Sequence, residues 1–156
     1  MSINTLAGIF GSIAYGFVSD KFFDARRPPA NLIFAVVEVA ALVLIFYGPT
    51  NELIQILAFA LYGATLSGLM ASLGGLFAVD IAPKGATGAA MGFVGIFSYL
   101  GAAIQENVSA SLISNNTIIT DGNRIYDFES AIMFWIGSSI ISLLLAASLW
   151  NTRVVK

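Results

Sequence analysis

NLIFAVVEVAALVLIFY, residues Asn31 to Tyr47, carries one charged side chain, Glu38. A bilayer is crossed by ~20 largely apolar residues in helical conformation, and this run is bounded by Arg26-Arg27-Pro28-Pro29 before it and Gly48-Pro49 after it. It reads as a spanning helix. Working outward, four further runs have the same character: Ile3 to Val18, Leu53 to about Val79, about Gly88 to Ile113, and about Ser130 to Trp150. The first is slightly short. The third and fourth of the five exceed the bilayer requirement, which implies tilt or extension into the interface. The expected fold is all-α, five transmembrane helices forming a single unit over residues 1–156.

Composition points the same way. The 156 residues are 58% hydrophobic and 10% charged, with a mean hydropathy of +0.87. A soluble domain carries about 25% charged residues to cover its surface, so lipid is the expected main solvent and the bilayer the first partner. A net charge of -2 and a pI near 4.8 leave no basic surface to neutralise a run of phosphates, so no nucleic-acid partner is expected. With no Cys and no His, thiol nucleophiles, disulfides, imidazole bases and zinc sites drop out. No catalytic, cofactor-binding or metal-ligating set is expected, and the protein does not read as an enzyme.

The loops set the orientation. Cytoplasmic loops carry the excess of Lys and Arg, and six of the seven basic residues fall on alternate loops: Lys21, Arg26 and Arg27, then Lys84, then Arg153 and Lys156. The opposite loops hold only Arg124, among Asp121, Asp127 and Glu129. This places the C-terminus in the cytoplasm, and a soluble five-helix bundle would not produce the alternation. A cleaved leader would put positive charge ahead of its apolar stretch. Met1 to Val18 has none, so it reads as a spanning helix.

Small residues at four-residue spacing mark close helix packing in lipid: Gly8, Ser12 and Gly16; Gly63, Ser67, Ala71 and Gly75; Ser138, Ser142 and Ala146. Polar residues within the spans are more informative. Glu38 sits at the middle of its run, where an ionised side chain costs at least ~2.5 kcal/mol. Ala35 and Ala41 flank it on the same face, which turns it towards the bundle or a cavity. Two roles stand for it, structural hydrogen bonding, or coupling and substrate contact. Gln105 and Glu106 form a second polar insertion with Tyr99 less than two turns earlier. Neighbouring positions point about 100° apart on a helix, so one of the pair faces a cavity, unless Glu106 already lies solvated near the outer interface.

Two stretches carry a family resemblance. Gly16-Phe17-Val18-Ser19-Asp20-Lys21-Phe22-Phe23-Asp24-Ala25-Arg26-Arg27-Pro28 is similar to the cytoplasmic loop motif of the major facilitator superfamily. Having Phe22-Phe23-Asp24-Ala25 where many members have a Gly turn, it looks like the organophosphate/phosphate antiporter branch, the hexose-phosphate, glycerol-phosphate and phosphoglycerate transporters. The second stretch, from Asp80-Ile81-Ala82-Pro83-Lys84-Gly85 through Gly92-Phe93, Gly95, Phe97 and Tyr99-Leu100-Gly101, resembles the same branch. On this resemblance the five runs correspond to helices eight to twelve of a twelve-helix transporter, the C-terminal part only.

The resemblance implies exchange of a phosphorylated metabolite for inorganic phosphate across a bacterial inner membrane, by two halves rocking about a midplane site. It implies a partner, the N-terminal half, as a separate chain or lost by truncation. The branch's phosphate-binding arginines lie on the first and seventh helices, which are not in this chain. It further implies gating roles for Gly16, Asp20, Lys21, Arg26, Arg27, Asp80 and Lys84, with Asp20 meeting the N-terminal dipole of a helix in the other half. Arg26 and Arg27 read equally as plain positive-inside anchors, and Asp80 and Lys84, one turn apart, as a local ion pair. Glu38, Tyr99, Gln105 and Glu106 are the cavity candidates. A transporter-like sensor of phosphate esters and a non-transporting remnant are the rival readings.

Overall fold

The computed structural model describes residues 2–83, 85–120 and 123–151. Helix α1 (Ser2–Phe22) leads into a loop with two consecutive left-handed residues, Asp24 at φ 50° and Ala25 at φ 61°. The Ala25 amide donates back to the Ser19 carbonyl at 3.0 Å and caps α1. Helix α2 (Arg27–Tyr47) starts ahead of the apolar run because Pro28 and Pro29 occupy its first turn, where the amide that proline lacks has no helical partner anyway. Helix α3 (Glu52–Ala71) is capped by Asn51, whose side-chain oxygen accepts from the Leu53 and Ile54 amides at 3.0 and 3.3 Å.

The apolar run from Leu53 is not one regular helix. A π-helical turn, Ser72–Leu76, holding Gly74 and Gly75, separates α3 from the short helix α4 (Phe77–Ile81). The rod is nonetheless continuous over Glu52–Asp80. Helix α5 (Thr87–Asn115) follows, then a hairpin of β1 (Ile118–Thr120) and β2 (Asn123–Ile125), then α6 (Glu129–Ser148). The strands are antiparallel with Ile118 opposite Ile125 and Thr120 opposite Asn123, a small addition to the expected all-α fold.

Arg27–Tyr47, Glu52–Asp80, Thr87–Asn115 and Glu129–Ser148 are long and apolar enough to cross a membrane, with mean hydropathies of 2.3, 1.7, 1.5 and 1.9. Helix α1 is not in that set: Asn4, Thr5, Ser12 and Ser19 dilute it. It makes the most extensive helix contact of the chain, against α3. There Gly11 meets the Ala64 backbone and Gly63 the Asn4 backbone so closely that no β-carbon would fit, and Gly8 lies against the Ser67 hydroxyl, which would have to turn aside for one. The second contact surface joins α2 to α3, and the third α2 to α6.

The interior is made of small side chains, Ala30, Ala35, Ala41, Ala58 and Ala131 among them, while large apolar ones face outward, Phe10 at 71% and Ile13 at 67% exposure. In water such a surface would aggregate. In lipid it is the expected arrangement, because close packing of small residues holds helices together there. Helix α5 buries none of its residues, although Trp135 Nε1 donates to Ser109 Oγ at 2.8 Å and Asn116 Nδ2 donates to Ser130 Oγ at 3.0 Å between α5 and α6.

Candidate functional site

Arg27, the first residue of α2, ties three helix ends together. Its Nε donates to Asp80 Oδ2 at 2.9 Å, and its Nη1 donates to Asp20 Oδ1 at 2.8 Å and Ser19 Oγ at 2.9 Å. The planar fork of a guanidinium serves two carboxylates from separate nitrogens in a fixed geometry that an ammonium lacks. The Arg27 side chain is 10% exposed, Asp80 32% and Asp20 62%, so the Asp80 arm is the better shielded. Beneath it Tyr15 is fully buried. Its hydroxyl donates to Asn31 Oδ1 at 2.6 Å, and with its one proton so used it accepts from Ser72 Oγ at 2.8 Å. Two layers of polar contact thus lock α1, α2 and the π turn, and then α1, α2 and α4.

The sequence expectations divide at this cluster. Asp80 takes Arg27 as its partner, and Lys84 lies outside the described residues. Asp20 is likewise held within this chain. Arg27 is therefore more than an anchor. Arg26 reaches the end of α6, its Nη2 donating to the Trp150 carbonyl at 3.3 Å. Lys21 stands apart, its Nζ 5.0 Å from the centre of the Phe17 ring. A β-carbon at Gly16 would meet nothing within 4 Å, so the close contact of α1 is made by Gly8 and Gly11 instead. Tyr15, Ser19, Asn31 and Ser72 were not legible as site residues. Their signal was present in Asn31 and Ser72, polar groups within apolar runs that require partners in lipid.

Farther along α2 a groove of about 1050 Å³ opens between α2, α3, α5 and α6. Glu38, Tyr99 and Gln105 line it together with Tyr62, Trp135 and Ser139. Glu106 does not, and is exposed. Glu38 Oε1 accepts from Ser139 Oγ at 3.5 Å, a long bond. The tilted ring pair Phe46 and Trp135, 5.9 Å between centres, joins α2 to α6 nearby. Among the described residues no basic side chain lines the groove, so none of them offers an organic phosphate a charge-assisted bidentate contact there. Among the described residues no three His, Cys, Asp or Glu side chains group as a metal site.

Small residues inside, large apolar ones outside, and basic residues concentrated at one end of the apolar helices define a polytopic helical membrane protein. The particular family follows from comparison: residues 1–105 match the Major Facilitator Superfamily, and the chain belongs to it. It is similar to the glycerol-3-phosphate transporter of Bacillus subtilis, 33% identical over 147 residues, covering 94% of this chain and 31% of that protein. It is 37% identical over 102 residues to the membrane sensor protein UhpC of Escherichia coli, covering 64% of this chain and 23% of that one. It is 25% identical over 158 residues to a probable hexose phosphate transport protein of Chlamydia pneumoniae, covering 97% and 31%. The chain therefore spans less than a third of the length of these relatives. No solved structure matches it.

Proposed function

We propose that this chain forms part of a secondary transporter that carries a phosphorylated metabolite, such as a glycerol or hexose phosphate, in exchange for inorganic phosphate. The carrying observation is the match along 94% of the chain to a glycerol-3-phosphate transporter, with one probable hexose phosphate transport protein matching over 97% of it. The Arg27 cluster supports the reading. It fastens the ends of α1, α2 and α4 into one rigid unit, as a half that rocks against another requires. On this reading the basic end faces the cytoplasm of a bacterial inner membrane, and the phosphate is held by cations from the rest of the transporter. The test is a chimera in which this chain replaces the matching stretch of the Bacillus subtilis transporter. In liposomes loaded with phosphate it should take up labelled glycerol-3-phosphate or hexose phosphate. Uptake of neither by a correctly inserted chimera would refute the proposal.

A sensor is the second reading, favoured by the 36% and 37% identities to two membrane sensor proteins over about two thirds of the chain. A chimera that binds a phosphate ester without carrying it across the membrane would support that reading instead.

A further inference from the structure

Ala58, Thr65 and Ser72 follow one another at seven-residue spacing along the rod, and all three are buried. Seven residues complete two helical turns to within about 20°, so the three share one face. Ser72 meets Tyr15 of α1 there. Asp80 reaches Arg27 at the start of α2, yet it lies eight residues beyond Ser72. In a regular helix eight residues leave it about 80° off the face. The π turn removes the difference. The Phe77 amide donates to the Ser72 carbonyl five residues back, and taking up one extra residue sets everything beyond the turn back by about 100°. Asp80 then stands about 20° from Ser72.

Gly74 and Gly75 lie inside the turn. A β-carbon at either would meet nothing within 4 Å, so neither glycine serves a close approach. Their effect is on the backbone, because glycine weakens a regular helix relative to alanine and so brings the π and α patterns closer in free energy. One contact on each side pins the register. The Tyr15 hydroxyl holds Ser72 Oγ at 2.8 Å between two fully buried residues. Arg27 Nε holds Asp80 Oδ2 at 2.9 Å, with the Asp80 side chain 32% exposed. Water competes for the second contact and not for the first, so the second is the one that opens.

Resting on the reading of this chain as part of a transporter, we propose that the π turn is a register switch. When Asp80 leaves Arg27, the turn closes to regular helix, and α4 slips by one residue and rotates by about 100°. Ser72 stays on Tyr15. Val79 then takes the place of Asp80, and Ala78 the place of Val79. Arg27 keeps Asp20 and Ser19, and Tyr15 keeps Asn31, so α1 and α2 remain fastened while the α4 end alone changes state.

The slip exchanges exposure between neighbours, which supplies the readout: Ala78 is 5% exposed and Val79 55%. The chain has no cysteine, so Ala78→Cys and Val79→Cys are placed singly in the chimera, built on a cysteine-free Bacillus subtilis transporter, and labelled with a maleimide in detergent. With Arg27 in place Val79→Cys should label the faster. Adding Arg27→Ala should speed Ala78→Cys about tenfold and slow Val79→Cys, because each rate follows the population of the state that exposes the thiol. Unchanged rates would overturn the proposal, and so would a rise at both positions, which reports local unfolding instead of a slip. Should the Arg27→Ala chimera not purify as a monodisperse protein, Gly74→Ala combined with Gly75→Ala, which favours regular helix, should move the two rates in the same opposite directions; failure to do so also overturns it. Deletion of Gly75 removes the extra residue, leaving a regular helix with Asp80 still on Arg27 and no slip to make. That variant should keep its unfolding midpoint but take up labelled glycerol-3-phosphate at least about tenfold more slowly, as the loss of a conformational step implies. Uptake at the parental rate would overturn the switch and leave the turn a fixed spacer. Labelling needs no transport, so the exchange of rates in a chimera without uptake would retain this proposal and sink the functional one.

Discussion

At the scale of single residues, Arg27 is where sequence and structure differ most. As one of a pair of arginines between two apolar runs it reads either as a topological anchor or, by the family resemblance, as a gating residue, and nothing local announces that its partners are Asp20 and, across two helices, Asp80. The pairing depends on how α1, α2 and α4 converge, which periodicity does not encode. Arg27→Ala strands a half-shielded Asp80 carboxylate. With the exposed Asp20 arm discounted, the loss should be about 1 kcal/mol, a fall of roughly 2–4 °C in the unfolding midpoint of the detergent-solubilised chain. Arg27→Lys should recover only part of it, since an ammonium donates from one nitrogen and lacks the guanidinium's fixed fork; full recovery would mean that charge alone matters and the fork does not. Glu38 was legible as an inward-facing acid because its alanine neighbours fix its face, and the structure sets it in a groove wall with Gln105 and Tyr99. Glu38→Gln keeps the shape and removes the charge. If Glu38 exchanges a proton during transport, uptake by the chimera should change in rate or in pH dependence while insertion stays normal; uptake identical to the parent across pH would leave only a structural role.

At the scale of elements, the helices follow from apolar run length, and the departures have local causes. Proline starts α2 early, and the long third run breaks at the π turn. A shift of one residue in the backbone ladder leaves no mark on hydrophobic pattern, although adjacent glycines at 74 and 75 make such a segment easier to form. The hairpin after α5 leaves one local signal in the sequence, the Asp121-Gly122 dipeptide, a favoured two-residue turn. Small-residue stripes correctly marked α1 and α3 as packing helices, but only contact shows which glycines the crossing needs. Gly11 faces the Ala64 backbone and Gly16 faces open space. Gly11→Ala should therefore force the helices apart at a cost of about 1–3 kcal/mol, whereas Gly16→Ala should be neutral or slightly stabilising because alanine is the better helix former. Thermal unfolding of the two variants decides the matter, and equal effects would remove the close α1–α3 crossing from the account.

At the scale of the whole molecule, the charge alternation in the sequence and the contacts in the structure agree on which helix ends lie together. Arg27 joins the ends of α1 and α4, and Arg26 reaches the end of α6. Accessible cysteines at Arg26 and Thr50 should accordingly be labelled from opposite sides of the membrane, and labelling of both from one side would contradict the bundle. The proposed transport function is legible only through family resemblance, because holding a phosphate needs cations at membrane depth and the described residues place none there. Secondary transport of this kind requires two units that move against each other around a binding site, and a phosphate requires cations within that site. Among the described residues the basic side chains are Lys21, Arg26 and Arg27, in a loop or at a helix end, and Arg124, in β2, and the groove at membrane depth contains an acid instead. The 156-residue chain alone should therefore insert into a bilayer, since four of its helices are long and apolar enough to do so, and yet fail to exchange phosphate. Its small core and its open groove also predict an unfolding midpoint well below that of the chimera in the same detergent. The decisive measurement is counterflow of labelled phosphate into liposomes holding the purified chain, against empty liposomes and against the chimera. Saturable exchange by the chain alone, absent from the empty vesicles, would show that these helices form a complete translocation unit and would refute a division of labour in which the groove and the Arg27 cluster work only together with a second half.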